Sequence, residues 1–250
     1  MQNPPRSLLQ WFETPLGRYL LEREFAYLDG VVADLFGFNA IQIGLTEFDF
    51  LRASRIPLRC RVGASGPVQF HCDPEFLPIA ANSVDLCLLP HALEFASNPH
   101  QILREVQRVL MPEGHLIVAG FNPWSLWGVR RTLKRGQAHF PWCGRFINLP
   151  RLKDWLALLG FEVAGGRMSC YAPPFSREQW LGRFRFMEAA GDRWWPIGGG
   201  VYFVDAVKRV PGVRVITPKW NGRVTANERL AAASQQVARG RLRIVAKEQE

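Results

Sequence analysis

The chain has 250 residues, 48% of them hydrophobic and 21% charged, with a formal net charge of +9. That length fits one α/β domain with extensions as well as two small domains, and such a chain buries enough surface to need no disulfide or metal staple. The five cysteines are odd in number and none lies closer than 12 residues to another, which speaks against paired zinc-ligand spacing and a disulfide framework. No apolar run reaches the roughly 18 to 20 residues of a membrane span, and no secretory apolar core follows the start, so a cytoplasmic protein is expected.

Thr14 followed by Pro15 is a helix start, an N-cap and then proline at the first helical position. Leu21, Phe25, Leu28, Val32 and Leu35 recur at spacings of four and three, which predicts one amphipathic helix to about Phe36. Continuous apolar runs at residues 40–44, 58–62, 68–72, 84–89 and 116–120 predict strands buried on both faces. Between the fourth and fifth, Asn98 caps a helix that Pro99 opens. Its apolar stripe is Ile102, Leu103, Val106, Val109 and Leu110, and it stops at Pro112 and Gly114. A helix over 152–159 ends at Gly160 and leads into a strand from Phe161; a last strand at 201–207 follows Gly198, Gly199 and Gly200. Strands alternating with helices predict an α/β fold with a doubly wound, mostly parallel sheet.

The charge is segmental. Residues 208–250 hold ten Lys and Arg against three acids, and residues 124–153 hold seven Lys and Arg and no acid, on a mildly acidic body. Such stretches attract anionic partners or remain solvated surface; from about Arg223 the tail reads as weakly ordered. The cysteines read as small buried apolar side chains.

In open α/β sheets ligands bind beyond the carboxyl ends of the strands. That directs attention to Gly44, Leu45 and Thr46, then Gly63 to Ser65, Asp73 and Pro74, Pro90 and His91, and Phe121 to Pro123. Here Asp73 is followed by Leu77-Pro78, Asp85 opens the fourth strand, His91 stands at its end, and the next helix closes in Arg108-Val109-Leu110-Met111-Pro112-Glu113-Gly114 before the fifth strand. In order and spacing, residues 72–129 resemble the central part of class I S-adenosylmethionine-dependent methyltransferases of the type 11 group; with flanking strands the resemblance covers about 36–208.

The resemblance implies a seven-stranded, Rossmann-like sheet over residues 37–208, with 124–153 a basic insertion after the fifth strand. Residues 165–207 would supply the final antiparallel pair, residues 1–36 a helical cover and 209–250 a basic, partly disordered tail. It implies S-adenosylmethionine as cofactor. Asp73 would accept from the adenine amine beside Pro74, Gly44 would let backbone approach, with Leu45, Thr46 and Ser65 around it, and Pro90 and His91 would border the methionine portion. His91 is the catalytic candidate, a base if the acceptor carries a proton. The acceptor is expected to be a small or anionic molecule, with nucleic acid an alternative through the basic segments.

The chain departs from the family in its first motif: Gln42 stands where an acid is usual, Thr46 and Phe48 where further glycines are, and no acid occurs between Asp49 and Asp73 to hold the ribose. Either Ser65, Gln42 and backbone groups substitute, or the fold has become a non-catalytic binding module; a nicotinamide oxidoreductase is a third reading. Glu94 reads as a salt-bridging helix residue, and Arg18 and Tyr19 as packing or cover residues. Trp124, Trp127, Trp194 and Trp195 are expected either in the core or lining an acceptor pocket.

Overall fold

A computed structural model describes residues 7–133, 139–175, 183–184, 186–195 and 197–210. Two helices come first. Ser7 caps α1 (Leu8–Phe12) by accepting from the Gln10 N–H, and Thr14 caps α2 (Pro15–Ala33) by accepting from the Gly17 N–H. The second ends before Phe36 because Phe38 and Asn39 donate their N–H groups to Asp85, which aligns the first strand against the fourth. That is the structural use of the aspartate opening the fourth strand.

The seven strands are β1 (Asn39–Ile43), β2 (Leu58–Gly63), β3 (Phe70–His71), β4 (Val84–Pro90), β5 (Leu110–Phe121), β6 (Phe161–Ser169) and β7 (Val201–Lys208). They lie in the order β3-β2-β1-β4-β5-β7-β6. β4 and β5 are parallel neighbours, and β7 runs antiparallel to both β5 and β6. The third strand is two residues long where the apolar run suggested five, because only Phe70 and His71 keep a ladder to Val62 and Gly63. β6 carries a register shift between Val163 and Gly165.

Helices α3 (Ala92–Phe95), α4 (Pro99–Val109), α5 (Leu126–Leu133), α6 (Leu149–Leu158) and α7 (Phe186–Trp194) complete the described elements. One core packs α1, α2 and Trp127 of α5 on one face of the sheet. The other packs the α4 stripe Ile102, Leu103, Val106 and Val109 with Leu152 and Leu156 of α6 on the opposite face. Cys87 and Cys170 are buried as expected, whereas Cys143 is exposed. Within the basic segment Lys134 and Arg135 lie outside the described residues, as does the tail after Val210.

The corner between α1 and α2 is tight. A Cβ on Gly17 would sit 2.2 Å from the Trp11 carbonyl oxygen and 2.5 Å from the Phe12 Cα. This close approach seats Trp11 and Phe12 in the core. Gly17→Ala is therefore expected to cost about 1 to 3 kcal/mol through backbone displacement. Urea unfolding checks this: a midpoint equal to the parent's would show that the corner relaxes without cost.

Candidate functional site

A cavity of about 450 Å³ opens where β1, β2, β3 and β4 end. The turn after β1 supplies Gly44, Leu45, Thr46 and Glu47, the end of β2 supplies Gly63, Ala64 and Ser65, and the loop after β3 supplies Asp73, Pro74 and Glu75. His91, Ala92 and Phe95 form the wall beyond β4, while Leu8, Leu9 and Phe140 close it from other elements. A larger groove, about 790 Å³, runs along β6 and α6 and shares no lining residue with this cavity.

The first turn shows how the departure from the glycine pattern is accommodated. Gly44 has φ +96°, and a Cβ there would lie 2.9 Å from the Pro90 carbonyl oxygen and 3.0 Å from the Ala92 Cβ, so β1 and β4 can approach only with glycine at this point. Gln42, fully buried, donates through Nε2 to the carbonyls of Gly44 (3.1 Å), Leu45 (3.1 Å) and Phe48 (2.8 Å) and accepts from the Phe50 N–H (3.0 Å). It is spent on shaping the turn and does not face a ligand. Thr46 ties this turn to the next by donating to the Ser65 carbonyl at 3.3 Å.

Asp73 accepts from the Glu75 N–H at 2.9 Å. Glu75 in turn accepts from the Ser97 hydroxyl (2.7 Å) and the Asn98 N–H (3.0 Å), fixing the loop after α3 against the loop after β3. Glu47 stands beside Gly66, whose Cβ would come 3.3 Å from the Glu47 Oε1. It places a carboxylate on the β2 side of the cavity from the turn after β1.

His91 is placed differently from the other lining residues. It lines the cavity wall, yet its side chain has no exposure, and its backbone is left-handed with φ 50°. The ring turns inward, with Nε2 at 2.5 Å from Glu24 and Nδ1 at 3.1 Å from Glu94, and lies against Phe121 at 4.1 Å between centroids. Burial opposes the charged ring, but the two carboxyls together outweigh it and raise the pKa to about 10. Both ring nitrogens are thus engaged by carboxyls and the ring is turned away from the cavity. Pro90 also differs from expectation: it is buried, paired with Ala119 in the sheet, and stands behind the wall instead of lining the cavity. Gly44, Leu45, Thr46, Ser65, Asp73 and Pro74 are brought together as the spacing suggested.

Glu24 escaped sequence reading, although it left a signal. It sits between Leu20 and Leu28 at spacings of four on the buried face of α2, where an acid is out of place unless paired. Of the four tryptophans, Trp127 is core and donates to the Ala172 carbonyl, Trp124 is exposed and lines two other cavities, and Trp194 and Trp195 are exposed. Tyr19 is buried and donates to Glu188, and burial pushes its phenol well above the usual range, which makes it a packing residue.

Among the described residues the three carboxylates lining the cavity, Glu47, Asp73 and Glu75, are joined by no Lys or Arg. Such a wall suits a ligand with a positive centre, an exocyclic amine and hydroxyls, and S-adenosylmethionine has all three. It repels a pyrophosphate, which counts against a nicotinamide dinucleotide. The residues present therefore fit the methyl-donor cofactor.

Residues 45–118 match the sequence pattern of the family described as methyltransferase domain. The uncharacterized protein YafS of Escherichia coli is 39% identical over 158 residues, 61% of this chain and 65% of that protein. A malonyl-[acyl-carrier protein] O-methyltransferase of Methylovorus is 35% identical over 91 residues, 36% of this chain and 30% of that one. The chain thus spans less than two thirds of either relative. Among solved structures, a SAM-dependent methyltransferase of Thermotoga maritima, a possible histamine N-methyltransferase, is similar with a TM-score of 0.53 and 20% identity over 77% of this chain and 94% of that one. The complex of a Haloferax volcanii methyltransferase activator with a putative methyltransferase gives 0.56 and 15% over 82% and 99%.

The buried imidazolium carries a pH dependence. Between the ordinary value of 6.5 and about 10 the native chain holds a proton that the unfolded chain has lost. Its stabilisation is complete below that lower value and falls as pH rises, by up to about 1.4 kcal/mol per pH unit. Burial also raises the thiols of Cys87 and Cys170, which steepens the decline only above about pH 8.5. Urea unfolding between about pH 6.5 and 8.5 is expected to show this slope in the parent and a flatter one in His91→Gln. Glu24→Gln, which keeps the ring and removes one carboxyl, should shorten the window; an unchanged slope in both variants would remove the proton from His91.

Proposed function

We propose that this chain is a class I S-adenosylmethionine-dependent methyltransferase, a reading supported by its domain match and fold, and that it transfers a methyl group to a small anionic acceptor. The observation that carries the reading is the acid-lined cavity at the ends of β1 to β4, walled by the same residues that the family's motif occupies.

In this reading Asp73 holds the adenine amine with Pro74 along the ring, and Glu47 takes the ribose hydroxyls that an acid at the end of β2 would otherwise hold. Gly44 leaves room for backbone approach, and Leu45, Thr46 and Ser65 border the cofactor. When bound, S-adenosylmethionine supplies an electrophilic methyl carbon on a positively charged sulfur. The chain contributes orientation and exclusion of water: Leu8, Leu9 and Phe140 close the apolar side of the cavity, and the His91 turn holds its wall rigid. With both His91 nitrogens engaged by carboxyls, the described lining offers carboxylates as bases. That favours an acceptor already nucleophilic at neutral pH, such as a carboxylate, and the O-methyltransferase named among the relatives is consistent with an oxygen acceptor.

Calorimetry with S-adenosylmethionine, its demethylated product and a nicotinamide dinucleotide tests the cofactor. Binding of the first two and no heat from the third are expected; no heat from the first two at millimolar concentration with folded protein would leave a non-catalytic module. Asp73→Ala should weaken cofactor binding ten- to a hundredfold through loss of one charge-assisted bond of about 1.5 to 3 kcal/mol. Glu47→Gln should weaken it about tenfold, while urea midpoints stay at the parent value, since both residues are exposed. Unchanged affinity in both would take the cofactor elsewhere.

A further inference from the structure

A second cavity, about 380 Å³, lies beyond the ends of β4 and β5 and shares Ser97 with the acid-lined one. Among the described residues its lining has the opposite chemistry: Arg145, Arg151 and His100 with no Asp or Glu, and the aromatic faces of Trp124 and Trp155. His100 and Arg151 share one aromatic platform. His100 packs on Trp155 at 3.9 Å and the Arg151 guanidinium lies over the same ring at 5.2 Å. Arg145 is anchored through its backbone, its N–H donating to the Glu94 carbonyl at 2.8 Å. Neither guanidinium forms an ion pair with an acid among the described residues, and both side chains are exposed. The caps of α4 and α6, Asn98 and Asn148, also line the cavity, so both helices begin there and their positive ends add to the same field.

We propose that this cavity binds the phosphate group of a phosphorylated small molecule, the methyl acceptor. The assignment of that molecule as acceptor rests on the methyltransferase reading; the phosphate site does not. Two guanidiniums offer paired N–H donors to a dianion, which a compact ammonium does not, and the indole of Trp155 gives the ligand's body a face to stack on. The two cavities meet at Ser97, which donates to Glu75 on the acid side. A cationic cofactor and an anionic acceptor are thus drawn to adjoining sites of opposite sign, and neither competes for the other's site.

The test uses the full chain at about 0.15 M salt, with tryptophan fluorescence and calorimetry as readouts and inorganic phosphate, AMP and acetate as probes. Phosphate and AMP are expected to bind, AMP more tightly because it stacks, and Arg145→Gln with Arg151→Gln should weaken both at least tenfold. S-adenosylmethionine affinity should stay unchanged in that double variant, and phosphate affinity unchanged in Asp73→Ala. Phosphate binding without any cofactor binding would sink the methyltransferase reading and leave the site standing. No phosphate binding, equal binding in the double variant, or acetate as tight as phosphate would overturn the proposal. So would an RNA oligomer that binds through the same two arginines while phosphate and AMP do not, since the site would then belong to a polymer backbone.

Discussion

Glu24, His91 and Glu94 put two carboxyls and one imidazolium where no water reaches, and such a group persists only while every element around it keeps its place. Removing ions from water costs several kcal/mol apiece, recovered only when the partners are held at hydrogen-bond distance. Here the partners come from α2, from the turn after β4 and from α3, and Glu94 also accepts from the Phe121 N–H at 2.7 Å, which adds β5. Four segments distant in sequence are bound into one unit. The cluster also sustains the left-handed conformation of His91, a strain of order 1 to 3 kcal/mol for a residue with a side chain. Because that turn is a wall of the acid-lined cavity, the cavity's shape is inherited from a charge cluster whose side chains are buried behind it.

The turn after β1 solves a related problem by other means. Where further glycines would let a loop adopt its path by having no side chains, Gln42 imposes the path with one amide engaged four times. A glycine loop is permissive and loses more entropy on folding; a glutamine clamp is restrictive and removes alternatives. The geometry at Gly44 survives because the one close approach, to Pro90 and Ala92, still falls on glycine.

Most of the architecture was legible because local signals agreed with it. The caps Thr14 and Asn98, each followed by proline, mark helix starts that the structure keeps, and the runs of β1, β4 and β5 read correctly as buried strands, whereas β2 begins exposed at Leu58 and Arg59 and β3 lies open at the sheet edge. The motif around Asp73 and the turn at Gly44 gave the cavity lining, since strand ends are set by the fold itself. What the sequence hid were contacts that span it. His91 looks available in a strand-end turn, and only the three-dimensional partner Glu24, 67 positions earlier, takes its ring inward. Glu47 was passed over because its carboxylate reaches the cavity from the turn after β1 and not from the end of β2. The third strand was overestimated because apolar residues at a sheet edge need no full ladder.

The sheet's two borders bear on how the molecule behaves among its own copies. An uncovered strand edge is a template for another chain, and long flat edges recruit neighbours. β3 presents two residues, too few to nucleate a ladder, and β6 breaks its register between Val163 and Gly165 and carries Arg167 just beyond. An incoming strand would meet a kinked, charged rim on one side and almost none on the other. Among the described residues the sheet therefore offers little edge along which a second copy could extend it.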